Sequence, residues 1–190
     1  MTGAGRLAVF LDRDGTINVD HGYVFRAGQF EFIPGEPEAI GRLKDAGYLV
    51  IVVTNQAGIA RGLYGEAEVH ELHRHLNREL ERYGGVIDAY YYCPHHPEKG
   101  IEPYRRECAC RKPSPGMLLQ AAADFSLDVG GSFLVGDKLS DIEAGLAAGC
   151  VSILVETGYG ADVESVPSDV PRVADLAAAV DLILFRKVLT

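Results

Sequence analysis

Apolar residues fall into short unbroken runs separated by longer stretches of helical spacing. The runs at 7–11, 48–53, 132–135 and 151–155 have the length and character of parallel strands buried on both faces, and 86–92 reads as a fifth strand. Between them, 35–46 places Ile40 and Leu43 at helical spacing and closes on Gly47, a natural C-cap. Residues 66–83 repeat Val69, Leu72, Leu76, Leu80 and Tyr83 at intervals of three and four, one face of a long helix. Residues 116–125, 141–148 and a terminal 173–189 are predicted helices. The segment 94–115 has too much Pro, Gly and charge for either pattern, and so long a loop in a compact domain is usually functional. Strands alternating with helices predict an α/β fold, a Rossmann-like three-layer sandwich whose mostly parallel sheet is covered on both sides. Ligands then bind beyond the carboxyl ends of the strands. Those ends carry Asp12 and Asp14, Thr54 and Asn55, Cys93, and Asp137 and Lys138.

Length and charge narrow this picture. A chain of 190 residues suits one domain spanning 1–190 with a full core. The formal net charge of −9 argues against a general nucleic-acid or membrane surface, so an anionic ligand must meet a local positive patch. No apolar run approaches the ~20 residues of a membrane span. Residues 1–6 show no leader core, so a cytoplasmic monomer is expected. Four cysteines in a reducing compartment read as thiols or metal ligands rather than as disulfides.

The first strand stops at Asp12-Arg13-Asp14-Gly15-Thr16. Two acids this close at a buried strand end repel each other and lose hydration unless a cation compensates. Their bland alternative is a turn in which they only cap backbone groups. Asp137, at the end of another strand, can complete an oxygen-rich site suited to Mg²⁺. One aspartate can then attack phosphorus while the other handles the leaving group's proton, with Thr54, Asn55 and Lys112 as donors to the phosphoryl oxygens. These residues, with Thr54-Asn55-Gln56, Lys112-Pro113 and Gly136-Asp137-Lys138-x-x-Asp141, resemble in order and spacing the four motifs of the haloacid dehalogenase-like (HAD) phosphatases. That resemblance implies a HAD-like fold with no large cap domain. It also implies that Asp12 is the nucleophile, Asp14 the general acid/base, and Thr54 and Lys112 the phosphoryl clamp. Mg²⁺ would be held by Asp12, Asp137 and the Asp14 backbone carbonyl. Asp141 is either a partner of the metal or Lys138, or a surface acid at a helix N-terminus.

Cys93-Pro94-His95, followed after twelve residues by Cys108-Ala109-Cys110, is a Cys₃His set typical of structural Zn²⁺. His96 is the alternative imidazole, and two reduced cysteine turns without metal are the alternative reading. Such an ion would pin the loop, about 93–110, that leads into Arg111-Lys112. Arg111 would then be free to pair with a second anionic group, which suggests a substrate with two phosphates; otherwise it is a solvated charge. Cys150 reads as a small core residue, and His70, His73 and His75 as surface residues of the long helix.

With the zinc loop included, the chain is similar to the D-glycero-D-manno-heptose-1,7-bisphosphate 7-phosphatases, a subgroup related to the histidinol-phosphate phosphatase domain. The likeness runs through residues 10–24, 54–62, 91–97 and 108–113 and fades after about Val155. It implies that Asp20, His21, Gly22, Tyr23, Thr54, Asn55, Gln56 and Ala57 surround the sugar. Arg111 would hold the uncleaved phosphate, and Lys138 would also contact substrate. The implied reaction is hydrolysis of the 7-phosphate in bacterial heptose biosynthesis. A histidinol-phosphate phosphatase and a zinc-stabilised binding module without catalysis are the two rival readings.

Overall fold

The structure, a computed structural model, describes residues 5–188. Its central sheet is built from β1 (Ala8–Leu11), β2 (Leu49–Asn55), β3 (Ala89–Cys93), β4 (Phe133–Gly136), β5 (Val151–Val155) and β6 (Arg172–Val173). The order is β3-β2-β1-β4-β5-β6, and every pairing is parallel. The helices are α1 (Glu36–Asp45), α2 (Ala57–Ala60), α3 (Glu66–Leu80), α4 (Gly116–Phe125), α5 (Leu139–Ala148) and α6 (Leu176–Val188).

Period-two alternation in the strands explains the three layers. Val9, Leu11, Val50, Val52 and Val135 point into one core with Ile40 and Leu43 of α1, Leu76 and Leu80 of α3, and Val180 and Ile183 of α6. Ala8, Phe10, Ile51, Val53 and Leu134 point into the other, against Leu118 of α4 and Ala144 of α5. Cys150 is buried in this second core, as expected.

The two-residue strand β6 has no counterpart in the apolar pattern. It exists because β5 pairs Leu154 with Arg172 and Val155 with Val173. The short helix α2 was likewise not predicted. Strand β3 begins at Ala89, leaving Val86 exposed outside the sheet, and α3 gives way to a 3₁₀ turn at Glu81–Tyr83. The terminal helix starts at Leu176 rather than 173; residues 1–4 and 189 of the predicted segments lie outside the described residues. Residues 94–115 form a loop without helix or strand, and no separate cap domain is inserted among the described residues. No helix among them is long and apolar enough to cross a membrane.

One expectation is corrected here. His73 is buried, not on the surface, and stacks on Tyr90 with ring centroids 4.1 Å apart and planes 12° from parallel. Burial, helped by the charge of Arg13, pushes its imidazole down to about 3, so it sits in the core neutral. His70 is exposed and His75 half-buried at its sides.

Candidate active site and cysteine cluster

The parallel register brings the strand ends to one edge. Leu11 faces Val135, and the Asp12 N–H donates to Val135 O at 3.0 Å, so Asp12 and Asp137 leave adjacent strands together. Gly15 lets the chain turn between them. Its φ is +93°, and a Cβ there would stand 2.3 Å from Asp137 Oδ2.

Lys112 reaches in from the long loop and is buried. Its Nζ donates to Asp12 Oδ1 at 2.8 Å and to Val53 O at 2.7 Å, and lies 2.7 Å from Asp141 Oδ1. Burial works against ionising Asp12, but the charges of Lys112 and Lys138 outweigh it and hold the carboxyl below its ordinary value. Burial also opposes the charge on Lys112, and Asp12 and Asp141 outweigh it and raise the ammonium above its usual range. Asp12 is therefore an ionised group held in place by a lysine.

Asp141 is buried, which removes the surface-acid alternative. Its electrostatic partner is Lys112, and its Oδ2 accepts the backbone N–H of Lys138 at 2.9 Å rather than pairing with that ammonium group. Oxygen atoms of Asp12, Asp137 and Asp141 all lie within 4.8 Å of one another. Burial first, and then the charge of Asp12, push Asp137 up to about 7. A divalent cation is what such a cluster of acids accommodates, and an all-oxygen donor set suits Mg²⁺.

Asp14 is ringed by donors. Arg13, fully buried, reaches Oδ1 through Nε at 3.2 Å and Oδ2 through Nη2 at 2.8 Å, and the same Nη2 donates to Val24 O at 2.7 Å. Asn18 Nδ2 donates to Oδ1 at 3.1 Å and Gln56 Nε2 to Oδ2 at 3.1 Å. Gln56 also donates to Thr54 Oγ1 at 2.9 Å and accepts from Tyr64 Oη at 2.7 Å. Arg13 and Tyr64 were missed in the sequence. Arg13 was hidden inside the motif, and nothing in the periodicity marks Tyr64 as site-facing.

Asp12, Asp14, Asp20, Gly22, Tyr23, Thr54, Asn55, Gln56, Ala57, Arg111, Lys112 and Lys138 line one cavity of about 650 Å³, joined by Tyr64, Ser140 and Tyr159, which were not predicted. Two predicted residues behave differently from their neighbours. His21 does not line the cavity, and its Nε2 pairs with Glu31 Oε2 at 3.0 Å on the surface. Asn55 turns its side-chain amide to the backbone of Lys112, donating to the carbonyl at 3.1 Å and accepting the N–H at 3.1 Å. Its side chain thus fixes the loop that carries the lysine. Lys138 Nζ lies 3.5 Å from Asp137 Oδ1 and 3.7 Å from Asp20 Oδ2.

Cys93, His95, Cys108 and Cys110 converge as the spacing predicted, with ligand atoms all within 4.8 Å of one another. Cys110 Sγ is 3.2 Å from the sulfurs of Cys93 and Cys108 and 3.4 Å from His95 Nδ1. Burial first, and then the neighbouring Cys110 and Cys108, push the Cys93 thiol up, so a cation is needed to favour the thiolate. The donor set and its compactness fit tetrahedral Zn²⁺. His96 is outside the cluster, its Nδ1 accepting the N–H groups of Glu98 and Lys99 at 3.2 and 3.0 Å. Arg111 Nη1 donates to His95 O at 3.1 Å, which couples the cluster directly to the cavity wall.

The chain is similar to known proteins. The HAD-hydrolase-like family model matches residues 109–179. D-glycero-beta-D-manno-heptose-1,7-bisphosphate 7-phosphatases from Photorhabdus laumondii and Escherichia coli K12 are 48% and 49% identical to the chain. The first match covers 83% of this chain and 85% of that protein, the second 80% of each. A crystal structure of D,D-heptose 1,7-bisphosphate phosphatase from B. bronchiseptica, complexed with magnesium and phosphate, superposes with a TM-score of 0.86 at 38% identity, covering 95% of this chain and 99% of that one. The chain therefore belongs to the D-glycero-beta-D-manno-heptose-1,7-bisphosphate 7-phosphatase family of HAD-like hydrolases and is a phosphoric monoester hydrolase.

Proposed function

We propose that the protein is a Mg²⁺-dependent phosphatase that removes the 7-phosphate of D-glycero-β-D-manno-heptose 1,7-bisphosphate, leaving heptose 1-phosphate. The observation that carries this reading is the ionised Asp12 held by Lys112 at the floor of a cavity that also receives Arg111. The names of the relatives at 48–49% identity support the substrate and its β anomer. In the proposed reaction an Asp12 oxygen bonds to phosphorus as the bond to the C7 oxygen breaks, and Asp14 gives that oxygen its proton. Asp14 then takes a proton from water, whose oxygen attacks phosphorus and frees Asp12 and inorganic phosphate. Lys112 and Thr54 hold the phosphoryl oxygens, and Arg111 holds the 1-phosphate by its guanidinium. Asp12, Asp137 and the Asp14 carbonyl would hold Mg²⁺, which when bound screens the charge of nucleophile and phosphate. Zn²⁺ at Cys93, His95, Cys108 and Cys110 would be structural, with no open position for substrate. The product would feed nucleotide-activated heptose synthesis for lipopolysaccharide core or S-layer precursors.

Phosphate release from both anomers of the bisphosphate, and from histidinol phosphate, tests the reading. The β-bisphosphate should turn over fastest, only with Mg²⁺, and Asp12→Asn should abolish it. Faster release from histidinol phosphate, or full activity in Arg111→Ala, would overturn the substrate assignment.

A further inference from the structure

Residues 157–160, which follow β5, close against the site. Thr157 Oγ1 donates to Gly15 O at 2.7 Å, and the Tyr159 N–H donates to Asp137 Oδ2 at 2.9 Å. Gly158, at φ +56°, makes the approach possible, since a Cβ there would stand 2.2 Å from Asp137 Oδ2 and 2.7 Å from Gly15 Cα. This anchoring leaves the Tyr159 ring at the cavity, 51% exposed, with no core to fill. Lys138 Nζ sits over the ring, 4.9 Å from its centroid. The same ammonium group also pairs with the carboxylates of Asp137 at 3.5 Å and Asp20 at 3.7 Å and donates to Asp14 O at 3.5 Å, so the ring is one wall of its seat. Tyr159 also lines a second cavity of about 450 Å³, together with Val19, Asp20 and Ile33.

We propose that Tyr159 is a substrate-positioning residue: its ring face holds the Lys138 ammonium group toward the cavity, where the anionic sugar phosphate meets it, while its N–H steadies Asp137. A ring face attracts an ammonium group electrostatically and does so without neutralising it, so Lys138 keeps its charge for the substrate. This rests on the phosphatase reading above.

The test compares wild type, Tyr159→Phe, Tyr159→Leu, Lys138→Ala and the Lys138→Ala/Tyr159→Leu double variant. Steady-state kinetics on the bisphosphate are paired with calorimetric binding of inorganic phosphate in the presence of Mg²⁺. Tyr159→Phe should stay within about twofold of wild type, whereas Tyr159→Leu should raise KM about 3- to 30-fold, the range of a cation–π contact, with kcat nearly unchanged. In the Lys138→Ala background Tyr159→Leu should add nothing, because residues acting through one another are not additive. A full Tyr159→Leu effect in that background, or equal damage from Phe, overturns the proposal. If wild type leaves the bisphosphate intact, the phosphatase reading fails. The binding arm still judges Tyr159, since an unchanged phosphate affinity in Tyr159→Leu overturns the proposal by itself. Should Tyr159→Leu fail to fold, Tyr159→Met takes its place in both arms.

Discussion

Glu36 opens α1 from inside the core, where its Oε1 accepts the Leu176 N–H at the start of α6 at 3.1 Å. Burial is the main reason its carboxyl is pushed up from 4.5 to about 7, and the nearby charge of Asp175 adds to it. A carboxyl whose folded value is raised binds its proton more tightly folded than unfolded, so it adds stability at low pH that disappears as pH climbs from the unfolded value to the folded one. The window is therefore 4.5 to about 7. At about 1.4 kcal/mol per pH unit the ceiling is about 3 kcal/mol, and screening around the pair with Asp175 brings the expected effect to about 1–3 kcal/mol. Glu36→Gln keeps an acceptor for Leu176 and cannot ionise. Urea unfolding of both proteins should find them nearly equal at about pH 4, below the window, and the Gln variant more stable by about 1–3 kcal/mol at about pH 8. A gap that stays the same across this range would refute the reasoning, because groups common to both proteins cancel in the comparison.

Asn55→Ala removes both bonds to the Lys112 backbone and should lower kcat/KM about tenfold or more without unfolding the protein, at about 1 kcal/mol or more for each lost bond. Unchanged kinetics would show that the loop holds Lys112 without it. His73, pushed down to about 3, must charge to unfold in acid, so it takes stability away as pH falls from 6.5 toward 3. His73→Leu should flatten that part of an acid-unfolding curve, and an identical curve would sink the idea. Elemental analysis should find one zinc per chain, and stripping it with a thiol-competing chelator should lower both the melting temperature and the activity. A metal-free protein with full activity would refute the loop's dependence on the ion.

The strands whose ends carry chemistry were legible because burial on both faces writes an unbroken apolar run, and the cysteine cluster because four ligands of fixed type recur on short turns. His73 was misread although its position is four residues past Val69 and three before Leu76, the buried face of α3. The periodicity held, and its polar identity obscured it because the stacking partner Tyr90 lies on a strand seventeen residues away. Asn55 sat at a predicted position with another job, since a motif gives an amide's address but not the direction it points. His21 shows the same limit next to Asp20. The strand β6 and the placement of Tyr159 depend on what β5 and Asp137 supply across the fold, which no local pattern records.

Lys112 is fixed at the tip by Asp12, Asp141 and the Val53 carbonyl, and at the root by both the nitrogen and the oxygen of the Asn55 amide. A free lysine side chain gives up as much as about 2 kcal/mol of rotamer entropy when it is ordered. Here that ordering happens once, during folding, and in the proposed reaction it is not repeated at each encounter with a phosphate. The arriving anion finds a cation already stationary, so little of its binding energy is diverted to arranging the lysine.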